Sequence, residues 1–165
     1  MSADPDADTQ TEYEFTVVVT DAAGNVTEQA VSLDINNLDE VAPIITSADT
    51  AVAIDENSGA GQVIYTATAD DSADVSGGVT FSLAAGSDAA LSIDANSGAV
   101  SLSTDPDHEA QSQYSFTVVA TDEAGHSSEQ AVTLDVNDLD DTAPVITSPT
   151  TASVLESKGA GVSVY

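Results

Sequence analysis

The stretch YEFTVVVTD, residues 13–21, decides the fold, because it returns as YSFTVVATD at residues 114–122. Two further stretches repeat at the same offset of about 101 residues, namely EQAVSLD at 28–34 with EQAVTLD at 129–135, and PIITS at 43–47 with PVITS at 144–148. A period of this length is the size of a β-sandwich domain and not of a solenoid turn. The sequence therefore predicts tandem domains.

The repeat boundaries predict three parts. Residues 1–39 correspond to the C-terminal part of a preceding repeat, 40–141 to one complete repeat, and 142–165 to the N-terminal part of a following repeat. Met1 precedes a polar, acidic stretch without the pattern of a signal peptide. We therefore expect an excised segment of a longer protein, centred on one repeat with both junctions attached.

Apolar residues alternate with polar ones in short runs, which is the pattern of half-buried β-strands. Strands are expected at 12–20 and 28–37, which form a hairpin, and in the complete repeat at 44–47, 51–55, 62–69, 78–84, 90–93, 98–103, 112–121 and 129–137. Asn57-Ser58-Gly59 and Asn96-Ser97-Gly98 are among the turn signals that separate them. Many short strands at this spacing predict an all-β sandwich.

The predicted core is modest and poor in aromatic residues. It consists of the apolar set Val63, Tyr65, Phe81, Leu83, Leu91, Ile93, Val100, Leu102, Tyr114, Phe116, Val118, Val132, Leu134 and Val136. The hairpin ahead of the repeat lacks a core of its own, and a lone hairpin is marginal in water. It needs a partner: the complete repeat, another molecule, or the terminal strands expected near 145–164.

The charge balance excludes several classes of partner. Asp and Glu number 29 against the single basic residue Lys158, and the net charge is −28. Nucleic acid is excluded because phosphate binding requires many Lys and Arg, and anionic membrane is disfavoured for the same reason. The sequence has no cysteine and therefore no thiolate metal site. The many carboxylates either keep the chain soluble or bind cations.

Two acidic linkers carry the sharpest signal. The first linker reads DINNLDEVAP at 34–43, and the second linker reads DVNDLDDTAP at 135–144. Each begins as a strand and ends in a carboxylate cluster before Ala-Pro. Such dense oxygen ligands suit a hard cation such as Ca²⁺, although a plain solvated acidic linker is the alternative. The junctions formed by the two linkers are the first joint and the second joint.

Four motifs in order resemble the cadherin repeat: DEN at 55–57, DPDHE at 105–109, ATD at 120–122 and DVNDLD at 135–140. The composition, rich in Ala, Thr and Asp, is similar to that of the cadherin-like repeats of large bacterial surface adhesins exported by type I secretion (RTX adhesins). This resemblance implies Greek-key, immunoglobulin-like (cadherin-like) β-sandwich repeats joined by acidic linkers, with Ca²⁺ between consecutive domains.

The resemblance also implies a ligand set for each joint. At the second joint the ligands would be Glu56, Asp107, Glu109, Asn137, Asp138 and Asp140. At the first joint they would be Asp6, Asp8, Asn36, Asn37 and Asp39 from the upper side, and Asp70, Asp71, Asp74 and Asp122 from the lower side. Ala69 stands where an Asp is expected, which leaves the register of the 70–74 segment open. The first joint is expected to hold the better-defined metal.

Nothing in the sequence indicates catalysis. It contains neither a Gly-x-Ser-x-Gly elbow nor the spacings of a metalloprotease or P-loop, so we expect no enzyme. His108 and His126 are expected to be exposed polar residues without metal partners. The acidic loop at 94–98 is expected to be a turn between strands and not an EF-hand-like site, because it lacks the downstream Glu.

The predicted function is structural. We expect a Ca²⁺-dependent extender segment of an extracellular adhesin on a bacterial cell surface, whose partners are the adjacent repeats of the same adhesin. The incomplete repeats at the two ends could also pair between molecules. The alternative is a binding module in which the repeat itself binds a glycan or another protein domain; the sequence offers it no aromatic platform.

Overall fold

The computed structural model describes residues 4–75, 77–148, 150–151 and 153. These residues form eleven strands: β1 Glu12–Thr20, β2 Val26–Asp34, β3 Ile44–Ile45, β4 Ile54–Asp55, β5 Val63–Thr66, β6 Ala69–Asp70, β7 Val79–Leu83, β8 Leu91–Ile93, β9 Ala99–Leu102, β10 Gln113–Asp122 and β11 Ser127–Asn137. Within the described ranges we find no helix with the length and apolarity of a membrane span.

The complete repeat is built from two main sheets. One has the order β4-β11-β10-β7 and the other β5-β9-β8, while β3 and β6 form a small antiparallel pair. Most neighbours are antiparallel, but β4 pairs parallel with β11, with Ile54 opposite Val136. An isolated parallel bridge between Thr50 and Thr133 extends this contact. The all-β prediction is confirmed.

The core lies between the two main sheets. β10 alternates strictly: Tyr114, Phe116, Val118 and Ala120 are buried, while the residues between them are more exposed. The ring of Phe116 meets that of Tyr65 edge to face, with centroids 5.6 Å apart and planes at 73°. Such aromatic pairs stabilise a core beyond their buried area. Two strands of opposite sheets are thereby joined through their side chains.

The predicted core is largely confirmed, with one clear error. Val63 was expected inside but is exposed, whereas its neighbours Ile64 and Tyr65 are both buried. The register of β5 against β9 shifts between Val63 and Tyr65, and a β-bulge of this kind breaks the alternation of inward and outward side chains. The half-buried set Phe81, Leu83, Leu91 and Ile93 packs against the core, as expected.

Several strand bounds differ from expectation; β3 and β4, for example, are shorter than the predicted 44–47 and 51–55. The run predicted at 62–69 is two strands, β5 and β6, which belong to different sheets. The second strand of the hairpin begins at Val26 and ends at Asp34, earlier than the predicted 28–37. Terminal strands were expected near 145–164, but residues 145–148 are not in a strand, so this part of the prediction is wrong. Its remainder from 154 onward lies outside the described residues.

The hairpin of β1 and β2 stands apart from the core of the complete repeat. The two strands pair along their whole length, with Tyr13 opposite Leu33 and Phe15 opposite Val31. At the turn Gly24 has φ +88°, a left-handed conformation that glycine adopts without strain. The apolar side chains of Phe15 and Leu33 remain exposed, so the hairpin has the pairing of a sheet without the cover of a sandwich.

Candidate metal centres at the two joints

The first linker is held between the start of the hairpin and the complete repeat. Its Asn37 Nδ2 donates hydrogen bonds to Asp8 Oδ1 at 3.2 Å and to Asp74 Oδ1 at 2.7 Å. The backbone N–H of Glu40 donates to Asp74 Oδ2 at 3.2 Å. Carboxylate oxygens of Asp8, Glu40 and Asp74 lie within 4.8 Å of one another. Three separate segments therefore meet at one acidic cluster.

The three side chains of this cluster are all acidic, and their negative charges repel one another. Burial raises the pKa of Glu40, and the negative charges of Asp74, Asp8 and Asp6 raise it further. Hydrogen bonds from the backbone N–H groups of Glu40 and Val75 instead lower the pKa of Asp74. Oxygen donors that repel one another in this way are the ligand type that a hard divalent cation takes. The residues therefore fit Ca²⁺ chemically.

A second group at the first joint combines Asp39, Asp122 and His126. Asp122 ends β10 and is buried, and its Oδ1 accepts hydrogen bonds from the backbone N–H groups of Gly125 and His126 at 2.6 and 2.8 Å. One ligand atom from each of Asp39, Asp122 and His126 lies within 4.8 Å of the other two. His126 is half-buried and not exposed as expected, because the turn after β10 brings its Nδ1 to 3.4 Å from Asp122 Oδ2; that it binds no metal stays a prediction.

Glu56 organises the second joint. It is only 2% exposed, and its carboxylate accepts hydrogen bonds from the backbone N–H of Leu139 at 2.5 Å and of His108 at 2.8 Å. These two donors lower its pKa. Because Leu139 belongs to the second linker and His108 to the DPDHE motif, one buried side chain fixes both segments.

The pKa of Glu109 is shifted in the direction opposite to that of Glu56. A hydrogen bond from its own backbone N–H lowers its pKa, but burial and the charges of Glu56 and Asp141 outweigh it, so the pKa of Glu109 is raised. Carboxylate oxygens of Glu56, Asp107 and Glu109 lie within 4.8 Å of one another. As at the first joint, carboxylates are crowded together at a turn.

His108 also belongs to the second joint. Its Nδ1 lies 3.8 Å from Asp138 Oδ2, and ligand atoms of His108, Glu109 and Asp138 lie within 4.8 Å of one another. The expectation that His108 binds no metal therefore stays a prediction, although acidic side chains lie beside it. The ring is half-buried and faces Asp138 of the second linker, while the backbone N–H of His108 donates to Glu56 Oε2.

The remaining predicted ligands are placed near the joints without joining a group. Asp6 accepts hydrogen bonds within its own turn, from Asp8 N at 3.0 Å and from Thr9. Asp70 lies in β6 and accepts from Ser72 N at 3.0 Å. Asn137 Nδ2 donates to Asp55 Oδ1 at 2.9 Å. Within the described residues, the four groups of carboxylate and histidine side chains given above do not include Asp6, Asp70, Asp71 or Asp140. The ligand roles of these four residues and of Asn36, Asn37 and Asn137 stay predictions.

Sequence reasoning missed Glu40 and Asp141. Glu40 lies in the first linker and enters its acidic cluster, while Asp141 Oδ2 accepts a hydrogen bond from Asn57 Nδ2 at 2.7 Å. Both acids occupy the last acidic position of their linker, so the equivalence of the two linkers was a signal that could have found them.

The fold and the two acidic joints define a class: an all-β sandwich repeat with oxygen-rich junctions. The cadherin domain model matches residues 50–137, which is more than half of the chain, so the chain belongs to the cadherin domain family. A second model, described as a bacterial Ig-like domain, matches residues 2–37. Cadherin domains have an immunoglobulin-like β-sandwich fold, which confirms the predicted fold class.

Similar proteins agree with this assignment. The chain is 31% identical over 160 residues to the protocadherin-like wing polarity protein stan of Drosophila melanogaster, covering 91% of the chain and 4% of that protein. It is 33% identical over 144 residues to protocadherin-16 of Mus musculus, covering 84% and 4%. The chain thus spans a small part of these relatives.

Solved structures give the same picture. The EC3-6 cis-dimer structure of protocadherin gammaB7 aligns with a TM-score of 0.64 at 25% identity, covering 88% of this chain and 38% of that one. The EC22-24 structure of mouse cadherin-23 aligns with a TM-score of 0.64 at 26% identity, covering 83% and 46%. Cadherin domains are extracellular, act in adhesion, typically bind Ca²⁺ and in general are not enzymes.

Proposed function

We propose that this chain is a Ca²⁺-dependent extender segment, in which ions at the joints stiffen a row of β-sandwich repeats. One observation carries the proposal: Asp8 ahead of the hairpin, Glu40 in the first linker and Asp74 in the complete repeat bring their carboxylates within 4.8 Å of one another. An ion bound by all three would link consecutive parts of the chain.

The mechanism is electrostatic. In the absence of a cation these carboxylates repel, as the raised pKa of Glu40 indicates, and only hydrogen bonds such as those from Asn37 to Asp8 and Asp74 oppose bending of the linker. A bound ion replaces that repulsion by shared coordination. Extracellular modules bind Ca²⁺ with dissociation constants of roughly 10⁻⁴ to 10⁻³ M. At a hundredfold excess over that constant, each ion adds about 2.7 kcal/mol to the stability of the bound state.

The second joint supplies the same chemistry from the other end of the repeat. Glu56, Asp107 and Glu109 offer grouped carboxylates, and Asn137, Asp138 and Asp140 of the second linker are proposed to complete the set. Buried Glu56 already holds the backbone of the second linker through Leu139. A cation bound there would add a second attachment to a linker that Glu56 already holds at Leu139.

The proposed division into parts follows the joints. Residues 1–39 form the C-terminal part of one repeat, 40–141 a complete repeat, and 142–165 the start of the next. The cadherin match over 50–137 and the separate match over 2–37 support a boundary near the first linker. The partners proposed for this segment are adjacent repeats of the same protein.

The proposed setting is a bacterial cell surface, as part of a large RTX adhesin that serves attachment and biofilm formation. The match of residues 2–37 to a bacterial Ig-like domain supports this setting. So does the composition, with a single basic residue against 29 acidic ones, since a chain of this charge stays soluble and gains compactness where divalent cations are plentiful.

Thermal unfolding tests the proposal. We expect millimolar Ca²⁺ to raise the melting temperature and EDTA to lower it, and small-angle scattering to show a longer, stiffer particle with Ca²⁺. Asp74→Asn should reduce the Ca²⁺-dependent rise. Asp49→Asn, an exposed acid outside the groups, is the matched control and should leave it unchanged. Identical melting curves with Ca²⁺ and with EDTA would refute the proposal.

A further inference from the structure

The first hairpin, β1–β2, has an apolar face that is open to solvent. Phe15 and Val17 of β1 and Leu33 of β2 are all exposed on it. A groove crosses both strands and is lined by residues that include Phe15, Val31 and Ser32. Contiguous apolar surface of this kind marks a place where another segment binds. The identity of that segment can be read from the equivalent hairpin of the complete repeat, β10–β11.

The complete repeat shows which side chain covers the equivalent face. Phe15 occupies the position of Phe116, whose ring packs edge to face on the ring of Tyr65. The hydroxyl of Tyr65 is hydrogen-bonded to Ser47 Oγ at 2.7 Å and to the backbone oxygen of Ala48 at 2.6 Å. The segment that covers Phe116 therefore ties its own two ends together through this tyrosine.

The same segment also pairs with the edge of β11. Thr50 forms the parallel bridge with Thr133. Two backbone hydrogen bonds flank the bridge, from Ala51 N–H to the oxygen of Thr133 at 2.8 Å and from Thr133 N–H to the oxygen of Asp49 at 3.2 Å. In the first hairpin the position of Thr133 is Ser32 of β2. Within the described residues the only strand beside β2 is β1, so the edge that β11 uses for this contact is free in β2.

The pattern of the covering segment recurs later in the sequence. Residues 144–165, called here the C-terminal segment, repeat the pattern of 43–65 with one residue deleted. Thr151 has the position of the bridging threonine, Tyr165 that of the covering tyrosine, and Ser148 that of the serine that holds the tyrosine. The C-terminal segment thus carries the residues for both contacts that the first hairpin lacks.

Charge favours the same occupant. Lys158, the only basic residue of the chain, falls in the turn of the C-terminal segment that corresponds to Asn57-Ser58. In the complete repeat this turn lies beside the second linker, where Asn57 Nδ2 donates to Asp141 Oδ2 at 2.7 Å. The counterpart of Asp141 in the first linker is Glu40, which is surrounded by further acids. Docking would therefore bring the one positive charge of the chain towards an acidic cluster.

We propose that the first hairpin binds the C-terminal segment of a second copy of this chain, with Thr151 beside Ser32 and Tyr165 over Phe15. The same chain cannot supply the segment, because the seven residues from Pro144 to Thr151 span at most about 25 Å. The eleven residues of β11, which separate the two joints, already extend about 35 Å. The donor and acceptor surfaces differ, so copies join head to tail in an open row. The proposal does not require Ca²⁺ at the joints.

Disulfide trapping tests the register, because the chain has no cysteine. The whole chain with Ser32→Cys and Thr151→Cys should give, under mild oxidation, a ladder of linked dimers and larger species on a non-reducing gel. Thr50→Cys with Thr133→Cys is the geometric reference and should close within one chain. Glu28→Cys with Thr151→Cys, about 13 Å further along β2, should lose the ladder. Equal ladders from both pairs, or a link within one chain from the first pair, would overturn the proposal.

Sedimentation velocity in EDTA tests the proposal without cysteines. Tyr165→Ala should weaken association by about tenfold, because it removes an aromatic pair and its buried area, whereas Tyr165→Phe should retain it. Adding Phe15→Ala to Tyr165→Ala should cause little further loss, since both changes remove one contact. Lys158→Gln should weaken association at low salt. Unchanged association in Tyr165→Ala, or a monomer at every concentration, would refute the docking.

The outcome in EDTA is independent of the Ca²⁺ experiment. If the chain associates in EDTA as expected but its melting temperature does not respond to Ca²⁺, the extender mechanism is wrong and the docking stands. If the chain is stabilised by Ca²⁺ but does not associate, the docking is wrong and the extender mechanism stands.

Discussion

The two hairpins of this chain, β1–β2 and β10–β11, have nearly the same sequence and the same pairing but opposite environments. Phe15 pairs with Val31 as Phe116 pairs with Val132. Yet Phe15 is 51% exposed and Phe116 is 2% exposed. The contrast continues along β10 and β1: Val118 is buried while its counterpart Val17 is exposed, and the half-buried Tyr13 is the exception.

The comparison of the two hairpins separates what determines strand pairing from what determines side-chain burial. Alternation and turn chemistry are encoded locally, and they produce the same register in both hairpins. Burial depends on what lies against the sheet face, and for β10–β11 that is the sheet of β5, β8 and β9. An isolated two-stranded hairpin is marginally stable at best. The first hairpin should therefore contribute little to the stability of the chain as described.

The largest expected effect contrasts the two phenylalanines. Phe116→Ala should lower the free energy of unfolding by about 3–5 kcal/mol, because it leaves a cavity in the core. Phe15→Ala should change it by less than about 1 kcal/mol, as is usual for exposed positions. Urea unfolding followed by far-UV circular dichroism measures both. Equal losses would mean that the first hairpin is covered in solution.

A second contrast concerns pH in the presence of EDTA. Glu40 and Glu109 have raised pKa values, so their ionisation opposes folding at neutral pH, and this opposition is relieved as the pH falls through those values. Glu56 and Asp74 have lowered pKa values, so the stability they contribute above their ordinary pKa is lost as the pH falls through the folded values. We expect stability to rise from pH 7 to about pH 5 and to fall below about pH 4.

The control for this pH profile comes from the exposed hairpin. The net charge of −28 produces some of the rise on its own. Glu109→Gln should therefore reduce the rise more than Glu14→Gln, which removes an equal charge from exposed β1. If both variants reduce it equally in urea titrations, the crowding at the joints is not its cause.

The smallest expected effect is self-association through the uncovered hairpin. Exposed apolar faces and free strand edges favour contacts between chains, and we predict that the incomplete repeats of neighbouring molecules pair weakly. Sedimentation velocity should show a concentration-dependent shift that Phe15→Ser reduces. Val52→Ser, at an exposed position of the complete repeat, should not reduce it. A monomer at every concentration contradicts this prediction.

Sequence patterns predicted most of the fold and part of the site. Local alternation was sufficient for β10 and β11, whereas the bulge at Val63 could not be predicted, because a register shift depends on the partner strand. The linkers pointed to both acidic joints. The neighbours of His126 escaped prediction because Asp39 approaches it from a distant part of the chain, and no local pattern records that contact. The register of the 70–74 segment could not be predicted for a local reason, because Ala69 stands where an Asp is expected.

The parallel contact between β4 and β11 has a mechanical consequence. The chain enters the complete repeat at the first joint and leaves it at the second, and β4 runs beside β11 in the same direction. Tension along a row of repeats would pull these two strands past each other. The Thr50–Thr133 bridge, the Ile54–Val136 pairing and the Glu56 contact to Leu139 would then bear the load together and not one after another. Such a repeat would resist stretching by shear, as the extender role proposed above requires.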